Sequence, residues 1–426
     1  MDFSSPYTLL IIASIVLIFS YFFSEISKRT SIPSVLLLIL LGVVGKVGLN
    51  SVGMGDYDFF PILEILGIVG LIMIVLEAAL ELKLDRNKLA PISIALAIAL
   101  VGLLISTWVT AEILCYFVDG FDRGENYLKA WIYATPLSIL SSAIIIPSVV
   151  DLRADKKEFH IYESTFSDIL GIMMFYFLVG QFETSHSESS GNGVSNFIFT
   201  TLLTVVISIL SSYLLVVIFQ KLEGAVKLFL LIAVLLLLYS VEKIYHLSPL
   251  LSILIFGLVI ANKDLFFAGP LKRWLDKKEA DEIYHGLHVI TMETAFVVRT
   301  YFFVIFGVTI SFASLANWAV VGVSLLCLVA IFVIRFGILR VSLGKDIVPQ
   351  LYIAPRGLIT ILLFYAIPKE AYVEGFSQGI LLFIIIGTSL VMTGSLIFNK
   401  QRSTKAIRDA KAMNISETKW RAPEIE

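Results

Sequence analysis

Charge is scarce in this chain of 426 residues. Asp, Glu, Lys and Arg make up 15% of it and hydrophobic residues 58%, whereas a soluble domain is about a quarter charged. The mean hydropathy is +0.91. Apolar runs recur along the chain, each about 20 residues long, which is the length that crosses a bilayer. The composition excludes a soluble helical core and predicts an integral membrane protein.

Cysteine and excess basic charge are also lacking. Only Cys115 and Cys327 are present, both inside apolar runs, which argues against a disulfide framework or a zinc site. The net charge of −2 excludes a general nucleic-acid surface. No Ser-His-Asp set or metal motif lies at one membrane depth, so an enzyme is not expected. The sequence predicts no cofactor and no nucleic-acid partner.

The apolar runs predict thirteen spans, and these must be helices because lipid offers open backbone groups no partner. They cover 7–23, 33–48, 61–82, 90–118, 130–150, 162–181, 195–219, 225–241, 247–261, 287–310, 317–334, 347–367 and 378–398. The transmembrane domain is therefore assigned to 1–398, followed by a short charged tail at 399–426.

Lys and Arg are distributed unevenly between alternate loops, with 25 on one side of the membrane and five on the other. The positive-inside rule then places the N-terminus outside and the C-terminus in the cytoplasm. The segment 183–195 has no Lys or Arg and is predicted to be an external loop. The expected location is a cell membrane, with a bacterial inner membrane favoured.

Two pairs of spans share a pattern. The second and ninth each open with Ser and Pro and reach a Gly eight or nine residues after that Pro. The fifth and twelfth both contain helix-breaking residues: Pro136, Pro147, Pro349, Pro355 and Gly357. Both pairs are seven spans apart, and because seven is odd the related halves are inverted. Inverted repeats with broken helices are typical of transporters, and the predicted repeats cover 7–181 and 225–398.

Six ionisable residues lie deep inside the predicted spans, where charge is costly and therefore indicates function. They are Glu77, Glu163, Asp168, Glu293, Arg299 and Arg356. Asp168 follows Glu163 by five residues, which turns it about 140° away on a helix of 3.6 residues per turn. The two carboxylates therefore face different directions and can have different roles.

Asp168 is the predicted ion-carrying group. It shares its helical face with Ser164, and carboxylate and hydroxyl oxygens are hard ligands that suit an alkali cation. The fifth span adds hydroxyls but no carboxylate, at Ser138, Ser141 and Ser142. These serines are interpreted equally well as ion ligands or as ordinary packing between membrane helices.

The intramembrane arginines need acidic partners. Glu163 is the predicted partner of Arg356, in a fixed ion pair that joins two broken elements and leaves Asp168 free to titrate. For Arg299 two partners remain open, Glu293 and Asp168.

Several motifs resemble one family, the monovalent cation/proton antiporter superfamily with its NhaP, NapA and Kef-like branches. The most specific is E-S-T-F-S-D at 163–168, which is similar to the Glu-Ser-x-x-Asn-Asp of the NhaP branch. The sequence L-S-S-A-I from Leu140 resembles the Kef-like L-S-S-T-A, and A-P-R-G-L from Ala354 resembles the twelfth-span motif of the NhaP branch. The resemblance covers 7–398.

The resemblance implies a thirteen-helix inverted-repeat fold with broken crossing helices, a six-helix core domain and a dimerisation domain, hence a homodimer. It implies that Asp168 binds the ion, beside Ser164 and Ser167, and that Glu163 pairs with Arg356. The implied function is exchange of Na⁺, K⁺ or Li⁺ for protons, with a role in pH homeostasis. Ser167 stands where the NhaP branch has Asn, and this replacement is expected to loosen the site.

Two other functions fit a related inverted-repeat fold. An uncoupled ion pathway would show a filter such as T-V-G-Y-G or a polar ring, and the chain has neither. An organic-anion/sodium symporter would favour a polar cavity without the Glu163–Arg356 pair.

Overall fold

The structure, a computed structural model, describes residues 6–30, 32–51, 60–84, 88–124, 126–150, 152–185, 193–222, 226–245, 249–267, 273–309 and 317–412. All regular elements of these residues are helical. The predicted all-α class is therefore confirmed.

The predicted spans coincide with helices of the structure. In the described part these are α1 Pro6–Thr30, α2 Ser34–Ser51, α3 Phe60–Glu81, α4 Leu89–Phe117, α5 Tyr127–Ser138, α6 Ser142–Ser148, α7 Ala154–Ser185, α8 Gly193–Phe219, α9 Lys227–Ile244, α10 Pro249–Ala261, α11 Lys263–Phe266, α12 Lys277–Thr309, α13 Trp318–Ser342, α14 Leu358–Tyr365 and α15 Gln378–Ala412. The fifth span corresponds to α5 and α6. The twelfth comprises a short 3₁₀ helix, Gln350–Tyr352, and α14.

In the described chain, eight segments are long and apolar enough to cross a membrane. This count treats α5 and α6 as one segment. Helices α2 and α10 are apolar but shorter. Several helices extend past the predicted spans: α7 begins at Ala154 rather than 162, and α13 ends at Ser342 rather than 334. Hydropathy detects only the apolar part of a helix, so the charged start of α7 was missed. The predicted span in α13 was ended at its first arginine, although apolar residues follow it.

The helices pack in two groups. One contains α4, α5, α7, α13, α14 and α15, and the other contains α1, α2, α3, α8, α9, α10 and α12. Within the second group α2 and α12 approach closely at Gly42 and Gly307, where a Cβ on either glycine would collide with the facing backbone. Contacts of α3 with α7 and α14 join the groups.

Two interrupted helices meet at their breaks. Residues 139–141 separate α5 from α6, and residues 353–357 precede α14 without helical structure. A backbone hydrogen bond from Ser141 N to Pro355 O, 3.0 Å long, joins the two breaks. The predicted broken crossing helices are therefore present, whereas the boundaries of the inverted repeats remain a prediction.

Glycines at the contact between the two breaks and α7 allow these segments to approach closely. A Cβ on Gly357 would lie 2.5 Å from Ser141 Oγ and 2.8 Å from Ile144 Cδ1. On α7, a Cβ on Gly171 would collide with the Ile139 side chain. The two breaks therefore lie against each other and against α7, and this contact brings the deep charges together.

Candidate ion-exchange site

The centre of α7 carries the four buried polar side chains that the sequence motif singled out. Glu163, Ser164, Ser167 and Asp168 are each at most 2% exposed. Since unpaired polar groups inside apolar surroundings are costly, the partners of each define what the site can do.

The two carboxyl oxygens of Asp168 differ in their hydrogen bonding. Its Oδ2 accepts a hydrogen bond from the Ser142 backbone N–H at 3.3 Å. Its Oδ1 is buried and has no hydrogen-bond partner among the residues that the structure describes. No basic nitrogen of the described residues lies within ion-pair distance of this carboxyl. Asp168 can therefore accept a proton or a cation on Oδ1 without first breaking an ion pair.

The serines of the crossing differ in role. Ser167 Oγ accepts the Leu140 N–H at 3.0 Å, so it holds the 139–141 break onto α7. Ser164 donates to His160 O at 2.7 Å and Ser138 donates to Ala134 O at 2.9 Å, each within its own helix. Of the predicted serines, Ser142 is the one that the described contacts link directly to Asp168, through its backbone.

The structure corrects the predicted partner of Glu163. Arg335 on α13, not Arg356, forms the ion pair, with Nη1 and Nη2 donating to the two Glu163 oxygens at 2.7 and 2.9 Å. Arg335 Nε also donates to Gln350 O at 3.0 Å. This fork geometry satisfies both oxygens and occupies Glu163 completely. Glu163 is thus a structural anion, and His160 Nδ1 lies 3.5 Å from its Oε2.

Arg356 instead binds backbone carbonyls. Its guanidinium donates to Leu137 O at 2.9 Å, Ala354 O at 2.9 Å and Ser138 O at 3.2 Å. The break after Ser138 leaves the last carbonyls of α5 without helical partners, and a cation is favourable at that end of a helix. Arg356 therefore satisfies the broken end of α5 and ties it to the twelfth span.

Arg299 pairs with neither of its two predicted partners. Its Nη2 donates to Glu77 Oε2 on α3 at 3.0 Å, and its Nη1 donates to Ala143 O at 3.4 Å. Glu293, two turns earlier on α12, is exposed. The Glu77–Arg299 pair therefore links α3 and α12 to α6, close to the residue that binds Asp168.

A cavity with polar lining lies beside the Glu77–Arg299 pair. It has a volume of ≈ 60 Å³ and is lined by Glu77, Glu81, Ser142 and Arg299 together with apolar residues. A buried water needs roughly 10–15 Å³ and a few polar partners, so the cavity can hold water. A second cavity of ≈ 30 Å³ is lined by Glu163, Ser167, Arg335 and Arg356, among others.

The family model described as sodium/hydrogen exchanger, transmembrane, matches residues 12–399. The chain belongs to this sodium/hydrogen exchanger family. The predicted family is thereby confirmed, and with it a multi-pass membrane transporter that exchanges sodium and protons in general terms. No curated protein sequence matches the exchanger.

Solved structures show the same fold. The sodium proton antiporter MjNhaP1 from Methanocaldococcus jannaschii, determined at pH 8, matches the exchanger with a TM-score of 0.66 and 19% identity, over 92% of this chain and 99% of that one. An electron-microscopy map of the same antiporter gives a TM-score of 0.64 and 19% identity, over 98% and 100%. At this identity the likeness establishes the fold.

Sequence patterns missed two residues of the exchanger's site. Arg335 was counted among the cytoplasmic basic residues because the apolar run was ended at 334, although α13 continues beyond it. His160 is 0% exposed but precedes the predicted sixth span. The available signal was the apolar sequence that continues past Arg335, with Phe336, Ile338 and Leu339.

Proposed function

We propose that this exchanger moves a monovalent cation and protons in opposite directions by alternate binding at Asp168. The observation that carries the proposal is the buried Oδ1 of Asp168, for which the described part of the chain provides no partner. Two other deep carboxylates of the site are committed elsewhere, Glu163 to Arg335 and Glu77 to Arg299. One titratable oxygen then serves both ions.

Binding at one carboxylate makes the two ions exclusive. A proton converts Asp168 to a neutral acid, and a hard cation such as Na⁺, K⁺ or Li⁺ neutralises the ionised form through oxygen ligands. Either event removes a net charge that is costly inside the membrane. The Ser142 N–H keeps Oδ2 in place, while hydroxyls of Ser141 and Ser142 are candidate further ligands.

The conformational step is proposed to be a rigid-body movement of the helix group that contains α7 and the crossing. Such a movement proceeds only when Asp168 is neutralised by one ligand or the other, since an uncompensated charge would otherwise be carried through apolar surroundings. The Glu163–Arg335 pair and the contacts of Arg356 keep the moving group intact. The cavity beside Glu77 and Glu81 is the proposed entry path.

The test of this function is proton flux in proteoliposomes, with Na⁺, K⁺ and Li⁺ gradients applied in turn. At least one cation is expected to drive protons out as it moves in. Cation movement with no accompanying proton movement would indicate an uncoupled pathway and contradict the proposal. Proton flux that required an organic anion would favour the symporter.

The orientation is a second proposal, with the N-terminus outside and the C-terminus in the cytoplasm of a cell membrane. It rests on the excess of basic residues in alternate loops, which barely changes when the buried Arg335 is removed from the count. On a Cys115→Ser background, Glu183→Cys is expected to react with an impermeant thiol reagent added outside intact cells. Lys277→Cys should be protected until the cells are opened, and the reverse pattern would overturn the topology.

The homodimer also remains a proposal. It follows from the resemblance to the antiporter superfamily, whose fold includes a dimerisation domain. The mass of the protein particle in lipid nanodiscs decides it, because a chain of 47.3 kDa gives clearly different masses for one copy and two. A single-copy mass in native lipids would contradict it.

A further inference from the structure

A second buried carboxyl lies away from Asp168, on α9. Glu242 is 2% exposed, and its Oε1 lies 2.7 Å from Ser252 Oγ on α10. Its Oε2 is buried and has no hydrogen-bond partner within the described residues. Neither the exchange reaction nor the sequence patterns assign this carboxyl a role.

Glu242 begins a chain of short oxygen contacts across three helices. Ser252 Oγ lies 2.6 Å from Ser208 Oγ on α8. Ser208 Oγ in turn lies 2.5 Å from the carbonyl oxygen of Thr204. We name this set the Glu242 chain: the Glu242 carboxyl, the Ser252 and Ser208 hydroxyls, and the Thr204 carbonyl.

The number of hydroxyl protons in the Glu242 chain indicates whether the Glu242 carboxyl is protonated. The Glu242 chain has three oxygen–oxygen contacts of hydrogen-bond length, and each needs one proton between its two oxygens. Ser252 and Ser208 supply one proton each, and the Thr204 carbonyl oxygen supplies none. An ionised Glu242 would therefore leave one contact as two lone pairs facing each other at 2.5–2.7 Å. A protonated Glu242 donates to Ser252, Ser252 donates to Ser208, and Ser208 donates to Thr204 O.

The charges around Glu242 favour the same state. No basic nitrogen of the described residues lies within ion-pair distance of its carboxyl. α10 and α8 present Ser252 and Ser208 to it, and on α9 the neighbouring Lys243 lies over the Tyr176 ring, 6.0 Å from the centroid. An ionised carboxylate with one bare oxygen is costly in such surroundings.

We propose that Glu242 is a second proton-binding site of this chain, separate from Asp168, and that its proton holds α9 to α10 and α8 through the Glu242 chain. Loss of the proton would place an unpaired charge between the helices and break the chain of donors. Alkaline conditions are therefore expected to weaken this packing. The proposal rests on the contacts of Glu242 alone and does not depend on the transport mechanism.

Infrared spectroscopy of the full chain in lipid tests the protonation state, because a protonated carboxylic acid has a C=O stretch distinct from that of a carboxylate. At neutral pH a band from a buried, hydrogen-bonded acid is expected in an Asp168→Asn background, where Asp168 cannot contribute. Glu242→Gln should reduce this band, and the exposed Glu374→Gln control should leave it unchanged. A spectrum without the band, or a band of unchanged intensity in Glu242→Gln, would overturn the proposal.

A second variant tests the donor order and covers the case in which Glu242→Gln fails to fold. Ser252→Ala removes the oxygen that receives the Glu242 proton, so the band is expected to shift in frequency. An unshifted band would show that the acid does not donate to Ser252. Thermal unfolding against pH gives an independent measure: the melting temperature of the wild-type protein should fall relative to Glu242→Gln as pH rises, and a constant difference would contradict the proposal.

Discussion

Asp168→Asn is expected to abolish cation-driven proton flux while the protein remains folded. The amide keeps the size of the side chain and can still accept the Ser142 N–H, but it can neither bind a proton exchangeably nor neutralise a cation. Because Asp168 has no ion-pair partner among the described residues, the substitution leaves none of their charges uncompensated. Flux in proteoliposomes should fall to the level of empty vesicles.

A matched control lies on the same helix. Asp155, in the first turn of α7, is exposed, and its Oδ1 lies 3.4 Å from Arg153 Nε in a surface pair, which contributes about 0–1 kcal/mol. Asp155→Asn should retain flux and melting temperature. Flux close to that of the wild-type protein in Asp168→Asn would exclude this carboxyl as the ion carrier.

Arg335→Met is expected to give the largest loss of stability. It leaves the Glu163 carboxylate buried at 1% exposure without its bidentate partner, and removal of one member of a buried ion pair costs about 3–5 kcal/mol. Glu163→Gln should have an effect of similar size, since it leaves the Arg335 guanidinium without its anionic partner. The free energy of unfolding of the purified variants measures both.

The double variant separates a pair from two independent contributions. Glu163→Gln combined with Arg335→Met removes both charges, so it is expected to be more stable than the sum of the single losses implies. Arg340→Met, at an exposed arginine one turn later on α13 that donates to Gly344 O, is the control and should change stability by about 0.5 kcal/mol or less. Strict additivity in the cycle would refute the pair.

Composition and the positions of helix-breaking residues predicted the helices of this molecule and their interruptions. Each of the thirteen apolar runs coincides with helical structure, as expected because lipid demands helices. Prolines in the fifth and twelfth spans predicted the interruptions that the structure shows between α5 and α6 and before α14. The depth of Asp168 and Glu163 singled out α7, where both are fully buried.

The sequence did not predict which charged residues pair with each other. Arg299 meets Glu77 across 222 positions, and nothing local to either residue specifies that contact. Arg356 was assigned to Glu163 because a buried guanidinium suggests a carboxylate partner. Carbonyls freed by the break after Ser138 satisfy it instead, and such acceptors are not visible in a residue pattern.

The role predicted for Ser167 differs from the contact that it makes in the structure. The resemblance to the antiporter superfamily placed it at an Asn position, which predicted a looser ion site. In the structure its hydroxyl accepts the Leu140 N–H at 3.0 Å, so it anchors the break of the fifth span to α7. Whether the site binds ions more loosely remains a prediction.

The apparent KM for the cation, measured against pH in proteoliposomes, tests the central claim most directly. If a proton and a cation compete for Asp168, protons occupy the site on the acid side and the KM is high. It should then fall as pH rises, by up to about tenfold per pH unit while the site is mostly protonated, with the maximal rate little changed over that range. A cation KM that is independent of pH across the acid limb would mean separate proton and cation sites and would contradict exchange at a single aspartate.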